Sequence, residues 1–419
     1  MTEMLSSSFG LTHTTIQQCL ELRHELHLNP SLSFEEKPTV DRIVSFLQAG
    51  GVSADQLHRL VGGCGLLAVF GTKKTESPSI CFRADIDALP INEMAGIPWA
   101  STVPNVSHKC GHDGHTAIMC AVALTLVQHP PQHGQVILCF QPSEERGEGA
   151  KLMRSDPGWD PLVGSAPIYG LHNIPGAPLA AVLTRRGVFA SASRGLNIRL
   201  EGRVAHAATP EKGCSPVLAM TGIIHALLGL PSMSLAFGNA CKVTVVHAAL
   251  GTPDAFGTSP ASAVVQATLR THSNEDMVHL TAQVAHLLPS VPTVHVDSTV
   301  MPIMAIRIGS GLAAAHGVTM THSIVDDFPA QVNDPKGVEL VERAARAAGL
   351  STEELATPFA WSEDFSNYPR GTFFGLGAGP TCPPLHDLQY DFPDELIAHG
   401  ARVFLGILQQ QQQQQQQPV

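Results

Sequence analysis

Gln135-Val136-Ile137-Leu138-Cys139-Phe140-Gln141-Pro142-Ser143-Glu144-Glu145 joins a run of apolar residues to a pair of adjacent carboxylates. The apolar run predicts a strand buried on both faces, and the polar residues after it predict a loop at its carboxyl end. Working outward, residues 65–70, 79–82 and 167–171 read as further short buried strands. Residues 116–127, between two of these strands, read as a helix. Nearer the amino end, Ile16, Leu20 and Leu26 recur at helical spacing until Asn29-Pro30, and a second helix over 39–49 stops at Gly50-Gly51. The alternation predicts an α/β fold with helices flanking a central, mostly parallel sheet.

From Gly187 the pattern changes. Residues 192–201, 242–250 and 263–270 read as strands, with helices near 216–228 and 275–287. Strands served by two helices predict a smaller α+β domain, spanning 187–327, inserted into a first domain made of 1–186 and 328–408. The first domain resumes with a helix over 337–348, a Gly-rich strand over 372–377 and a last helix over 393–408. Residues 289–302 match neither pattern. The polyglutamine tail, 409–419, is predicted to be disordered.

Composition narrows the function. A chain of 419 residues suits two domains, and 44% hydrophobic against 15% charged residues supplies material for sizeable cores. A net charge of −11 argues against a nucleic-acid partner, which requires a basic face. No apolar run is long enough to span a bilayer, so no membrane association is expected. Residues 1–13 lack a secretory pattern, and nine cysteines, an odd number without a regular framework, read as free thiols of a cytoplasmic protein. Most of the 21 histidines, such as His24, His27, His58, His129 and His133, read as surface or structural, so only those inside a constellation count.

Three polar clusters fall at three strand ends. They are Arg83-Ala84-Asp85-Ile86-Asp87, Glu144-Glu145 and His172. Loops beyond the carboxyl ends of strands are where open α/β sheets bind ligands, so the three point toward one crevice. Between them, Cys110-Gly111-His112-Asp113-Gly114-His115 offers a thiol and an imidazole two residues apart on a glycine-containing turn. Cys110 and His112 can reach one metal ion, with Asp85 and Asp113, or His115, orienting them from behind. The plainer alternative is a structural turn around a buried cysteine. For Glu144-Glu145 the alternative is a solvated acidic turn, but two carboxylates in a crevice call for a cation. One of them then binds the metal while the other serves as general base. His386 completes a mixed sulfur, nitrogen and oxygen set suited to zinc, manganese, cobalt or nickel.

With these stretches in hand, the chain resembles the M20 metallopeptidase family. The likeness is to its amidohydrolase branch of hippurate hydrolases, N-acyl-amino-acid amidohydrolases and auxin-conjugate hydrolases. It rests on Arg83-Ala-Asp-Ile-Asp-Ala-Leu-Pro90, His108-Lys-Cys-Gly-His-Asp-Gly-His115, Gln141-Pro-Ser-Glu-Glu145, Gly170-Leu-His-Asn173, His206-Ala-Ala-Thr-Pro210, Ser362-Glu-Asp-Phe365 and Pro384-Leu-His386. These occur in family order across nearly the whole chain. The resemblance implies two divalent metal ions per chain, held by Cys110, His112, Glu145, His172 and His386, with Glu144 as general base. It also implies that the insert is a lid and dimerisation domain of a homodimer, whose His206 stabilises the oxyanion, commonly in the partner subunit's site. The substrate class it implies is N-acyl or N-aroyl amino acids.

The chain departs from the family pattern in three places. An Asn followed by Ile-Pro-Asp is usual in the lid where this chain has Gly257-Thr-Ser-Pro-Ala261, and Glu211 stands where a His is usual. The segment after Arg270 is about 25 residues longer than typical lid connections. Three other readings compete. A cysteine hydrolase built on Cys110 leaves Glu144, Glu145 and His386 without purpose, and a silent binding protein leaves a complete donor set unused. A dipeptidase or carboxypeptidase on the same scaffold is the alternative within the family.

Overall fold

A computed structural model of the chain describes residues 10–72, 79–236, 238–287 and 313–416. The chain divides into two compact units. One comprises Met1–Phe189, Gln331–Pro358 and Glu363–Val419; the other comprises Ala190–Ala330 with Phe359–Ser362. Residues 359–362, assigned by sequence to the first domain, thus group with the insert.

In chain order the strands of the first unit's main sheet begin with β1 (Leu57–Leu60), β2 (Gly65–Gly71), β3 (Ile80–Asp85), β4 (Gln135–Gln141), β5 (Ile168–Ile174) and β6 (Val182–Thr184). The second unit contributes β7 (Ala192–Glu201), β8 (Cys241–Leu250), β9 (Ser262–Thr271) and β10 (Thr319–Phe328). The first unit resumes with β11 (Thr352–Glu354) and β12 (Gly371–Gly377). The large sheet has the order β1-β2-β4-β3-β5-β12-β6-β11. Its centre, β4-β3-β5-β12, is parallel throughout. Antiparallel pairing enters on either side, at β1/β2/β4 and at β12/β6.

The parallel strands are the ones legible as apolar runs, because helices cover both faces. Every residue of β3 and β5 is buried. The helices are α1 (His13–Leu28), α2 (Lys37–Ala49) and α3 (His112–Gln128), then α4 (Val217–Ser234) and α5 (Asn274–Leu287) of the second unit, then α6 (Pro335–Ala347) and α7 (Leu396–Gln416). Residues 112–126 of α3 are all buried, which fits an apolar helix enclosed on every side. It packs against α1, α7 and β3.

The second unit is an antiparallel sheet of order β8-β9-β7-β10 with α4 and α5 packed on it. The alternating burial of β9 is that of a strand with one covered face. A two-residue pairing joins Ala205–His206 to Thr258–Ser259. Strand β10 escaped the sequence reading because it is mostly polar and, among the described residues, an edge strand paired with β7 alone. The unassigned stretch 289–302 lies outside the described residues, as do residues 288–312 of the lengthened segment.

The tail requires a correction. Helix α7 continues through the polyglutamine run to Gln416, where sequence predicted disorder. Glutamine is a competent helix former, and extending an anchored helix needs no new nucleus. All nine cysteines are unpaired. Among the described residues no helix is long and apolar enough to cross a membrane.

Candidate metal centre

Four local features bring the polar side chains together. Strand β3 runs to Asp85, further than sequence predicted, so Arg83 and Asp85 share one face at its carboxyl end. Helix α3 starts at His112, capped by Gly111 at φ 95°. A Cβ on Gly111 would lie 2.6 Å from Asn173 Oδ1 and 2.8 Å from the Tyr390 hydroxyl, so only glycine fits there. His172 sits within β5, not at its end. His386, at φ 66°, donates its backbone N–H to Lys109 O at 2.7 Å, which ties its loop to that of Cys110.

All five residues proposed as ligands converge. Cys110, His112 and His172 offer donor atoms within 4.8 Å of one another, and so do Cys110, Glu145 and His386. His112 with Glu144 and Glu145 forms a third such group. Cys110 Sγ lies 3.4 Å from His172 Nε2, and Glu145 Oε1 lies 3.6 Å from His386 Nε2 and 4.0 Å from His112 Nε2. His112 Nδ1 donates to Asp87 O at 2.9 Å, and His172 Nδ1 donates to Asn173 O at 2.9 Å. Both imidazoles thereby turn Nε2 toward the cluster, the usual arrangement of metal-binding histidines.

The donor set fits a divalent cation. His112 Nε2 and Glu145 Oε1 are buried without a hydrogen-bond partner, which native structures rarely tolerate. The electrostatics agree. Burial raises the Glu144 carboxyl well above its ordinary range, reinforced by Glu363, Glu145 and Asp364. Burial likewise raises Glu363 to about 7 and Asp364 to about 6, although the Arg83 guanidinium opposes both shifts. The Cys110 thiol is raised by burial and then by Glu145 and Glu144. Burial disfavours a charged His112, but Asp85, Asp87 and Glu145 outweigh it and lift that imidazole to about 10. The pocket holds more negative charge than its own cations offset, and a metal ion at His112 Nε2 would replace the proton this excess attracts.

One expected residue stands apart from this group. Asp113, expected to orient the ligands, turns the other way: Arg23 Nε lies 3.0 Å and His27 Nδ1 2.8 Å from its Oδ2. Asp85 does face the cluster, with Oδ2 at 3.7 Å from His112 Nε2 and Oδ1 at 2.6 Å from His115 Nδ1. His206 belongs to the second unit, where it is exposed. Its Nδ1 accepts the Ala208 N–H at 3.0 Å, so the ring hydrogen resides on Nε2.

Several residues at the centre received no role from sequence. Buried Arg83 donates to Gln141 Oε1 at 2.8 Å, Asp85 at 2.7 Å, and Glu363 and Asp364 at 2.9 Å each. Asp364 N–H reaches Glu144 Oε1 at 3.4 Å. The alternation Arg83-x-Asp85 was a usable signal for a shared strand face. Glu363-Asp364 stood in one of the stretches that carry the resemblance, but its approach to Glu144 and Arg83, more than 200 residues away in sequence, became visible only in the folded chain.

Residues 81–410 match the model of peptidase family M20/M25/M40. The chain belongs to this family. It is a metal-dependent amide hydrolase. It is 27% identical over 388 residues to hippurate hydrolase of Campylobacter jejuni, covering 92% of this chain and 94% of that protein. To N-acetylcysteine deacetylase of Bacillus subtilis it is 28% identical over 366 residues, 86% of this chain and 88% of the relative. A dinuclear metal-binding M20 peptidase from Bacillus subtilis superposes with a TM-score of 0.73 over 94% of this chain and 98% of its own. Its sequence identity is 24%, so that likeness speaks for the fold.

Proposed function

We propose that the chain hydrolyses the amide bond of N-acyl or N-aroyl amino acids, using two divalent ions held by Cys110, His112, Glu145, His172 and His386. The observation carrying this reading is the convergence of those five donors, two with buried unpartnered atoms, beside a sixth group, Glu144, left for proton transfer. The names of the hippurate hydrolase and deacetylase relatives support the substrate class.

Bound there, the cations would acidify a water and polarise the amide carbonyl. Glu144 takes the proton of the attacking water on a carboxylate oxygen and delivers it to the departing nitrogen. Asp364 N–H holds Glu144 Oε1 in place, and Asp87 O and Asn173 O keep the two imidazoles in the ligating tautomer. His206, with its hydrogen on Nε2, supplies a donor to the developing oxyanion, delivered from its own chain or from a second copy in a homodimer.

A hydrolysis screen against N-acetyl, N-benzoyl and indole-acetyl amino acids, with dipeptides as the contrasting set, tests the substrate class. Turnover of acyl amino acids is expected, lost to a chelator and restored by Mn²⁺, Zn²⁺, Co²⁺ or Ni²⁺. Turnover confined to dipeptides would overturn the substrate, and full activity in metal-stripped protein would overturn the mechanism. In the same assay His206→Ala is expected to slow kcat by about 10²–10³ with metal content unchanged. Near-normal turnover by that variant removes His206 from catalysis.

A further inference from the structure

We infer that the loop Ser33–Glu36 is a brace that positions the metal ligands, with Glu36 as its principal positioning residue; this rests on the metal reading above. Glu36 is completely buried just ahead of α2. Its Oε1 accepts two hydrogen bonds from Ser143, from the backbone N–H at 2.8 Å and from the hydroxyl at 2.9 Å. The Ser143 hydroxyl in turn accepts the Phe34 N–H at 2.9 Å. Ser143 directly precedes Glu144-Glu145 and is held at φ 55°, a conformation a non-glycine residue keeps only when its surroundings over-determine it. The three bonds from the brace supply that determination.

The same loop reaches the other side of the centre. Ser33 Oγ donates to Asp87 Oδ2 at 2.7 Å, and that oxygen also accepts the Glu145 N–H at 3.1 Å. Asp87 O holds His112 Nδ1. One short segment therefore fastens the backbone carrying the base and one ligand to the residue that orients another ligand. A loop serving only to fill space would not need a buried carboxylate, which is costly to desolvate.

The full chain, metal-stripped and titrated with Zn²⁺ by calorimetry, then assayed with a substrate from the screen, tests the brace. Glu36→Ala is expected to weaken Zn²⁺ binding and to lower kcat, each by about 10–100-fold, with KM less affected. Glu36→Gln keeps the accepting oxygen and is expected to stay within about threefold of the parent, well inside the loss typical of a missing outer partner. Parental Zn²⁺ affinity and kcat in Glu36→Ala, with only a lower melting temperature, would overturn the brace. A Gln variant as impaired as Ala would also overturn it, since charge and not geometry would then be at work. Should Glu36→Ala fail to fold, Ser143→Ala removes the two hydrogen bonds of the hydroxyl and keeps the backbone N–H bond to Glu36, and parental affinity and kcat there overturn the brace. A parent that takes up no Zn²⁺ instead overturns the metal reading, a result distinct from any variant's.

Discussion

His112 and Asp113 are consecutive residues on α3, yet they serve two buried polar clusters of opposite character. On the Asp113 side the charges are answered within the chain. Arg23 and His27 hold the Asp113 carboxyl far below its ordinary range against the cost of burial, and Arg23 also meets Asp391 and Asp394. Glu93, partnered by His27 and Lys109, is held down to about 2 although burial works against it. On the His112 side Arg83 meets Asp85, Glu363 and Asp364, yet Glu144, Glu363 and Asp364 still bind protons more tightly than free carboxyls do. Burial alone does not separate the two clusters, since both are buried. The carboxyls at and nearest the proposed base do. Glu144, Glu363 and Asp364 are pushed up, while Asp85 and Asp87 are lowered, against burial, by their histidine partners. Across the helix Asp113 and Glu93 are held low and Asp394 is raised by burial. Carboxyls held low have found their counter-charges within the chain, whereas carboxyls pushed up together beside Cys110, His112 and Glu145 suit a cation the chain does not itself provide.

The largest expected effects lie on the unbalanced side. Glu144→Gln should retain metal and lose about 10²–10⁴ in kcat, as the loss of a general base does. Glu145→Gln should lose metal as well as activity. Metal content by elemental analysis separates the two, and equal metal loss in both variants would mean that base and ligand have been interchanged.

On the balanced side the same kind of substitution should act on stability. Asp113→Asn leaves Arg23 and His27 short of a buried partner, a defect worth about 3 kcal/mol, somewhat reduced because Asp391 and Asp394 still face Arg23. Denaturant unfolding of the metal-free protein reads this loss. Zn²⁺ affinity and activity per folded molecule should remain parental. An Asp113→Asn variant that sheds metal as Glu145→Gln does would erase the distinction between the clusters.

That distinction was only half legible in the sequence. Glu145 and His172 could be found because they stand at or beside strands that read as apolar runs, and Cys110 and His112 because they lie two residues apart on a glycine-containing turn. Asp113 was misplaced because adjacency in sequence was taken for adjacency in space, and successive residues on a helix point about 100° apart. Arg83, Glu363 and Asp364 meet across some 280 residues, a proximity that no local pattern encodes. The same holds for the fold. Central strands with both faces covered read clearly, whereas β1, β6 and β11, of four residues or fewer, and the polar edge strand β10 carry too little periodicity to register.

The smallest expected effect follows from the protonation of His27. Burial disfavours its charged form, but Asp113 and Glu93 outweigh both burial and the repulsion of Arg23, so its pKa lies above the ordinary histidine value. A group whose folded pKa is raised stabilises the fold fully below its unfolded pKa, about 6.5, and loses that contribution as pH rises through the folded value. Asp113, whose pKa is depressed, has the opposite sign: its contribution is present above about pH 4 and is lost as acid is added. The pair is therefore fully effective between those limits. His27→Gln keeps a neutral hydrogen-bonding side chain and cannot take up the proton. Melting temperatures of the metal-free parent and variant should differ most near pH 6, and the gap should close as the solution is made more alkaline. A gap of constant size from about pH 6 to about pH 9 would mean that His27 is neutral in the fold, and that Arg23 rather than a histidine charge balances Asp113.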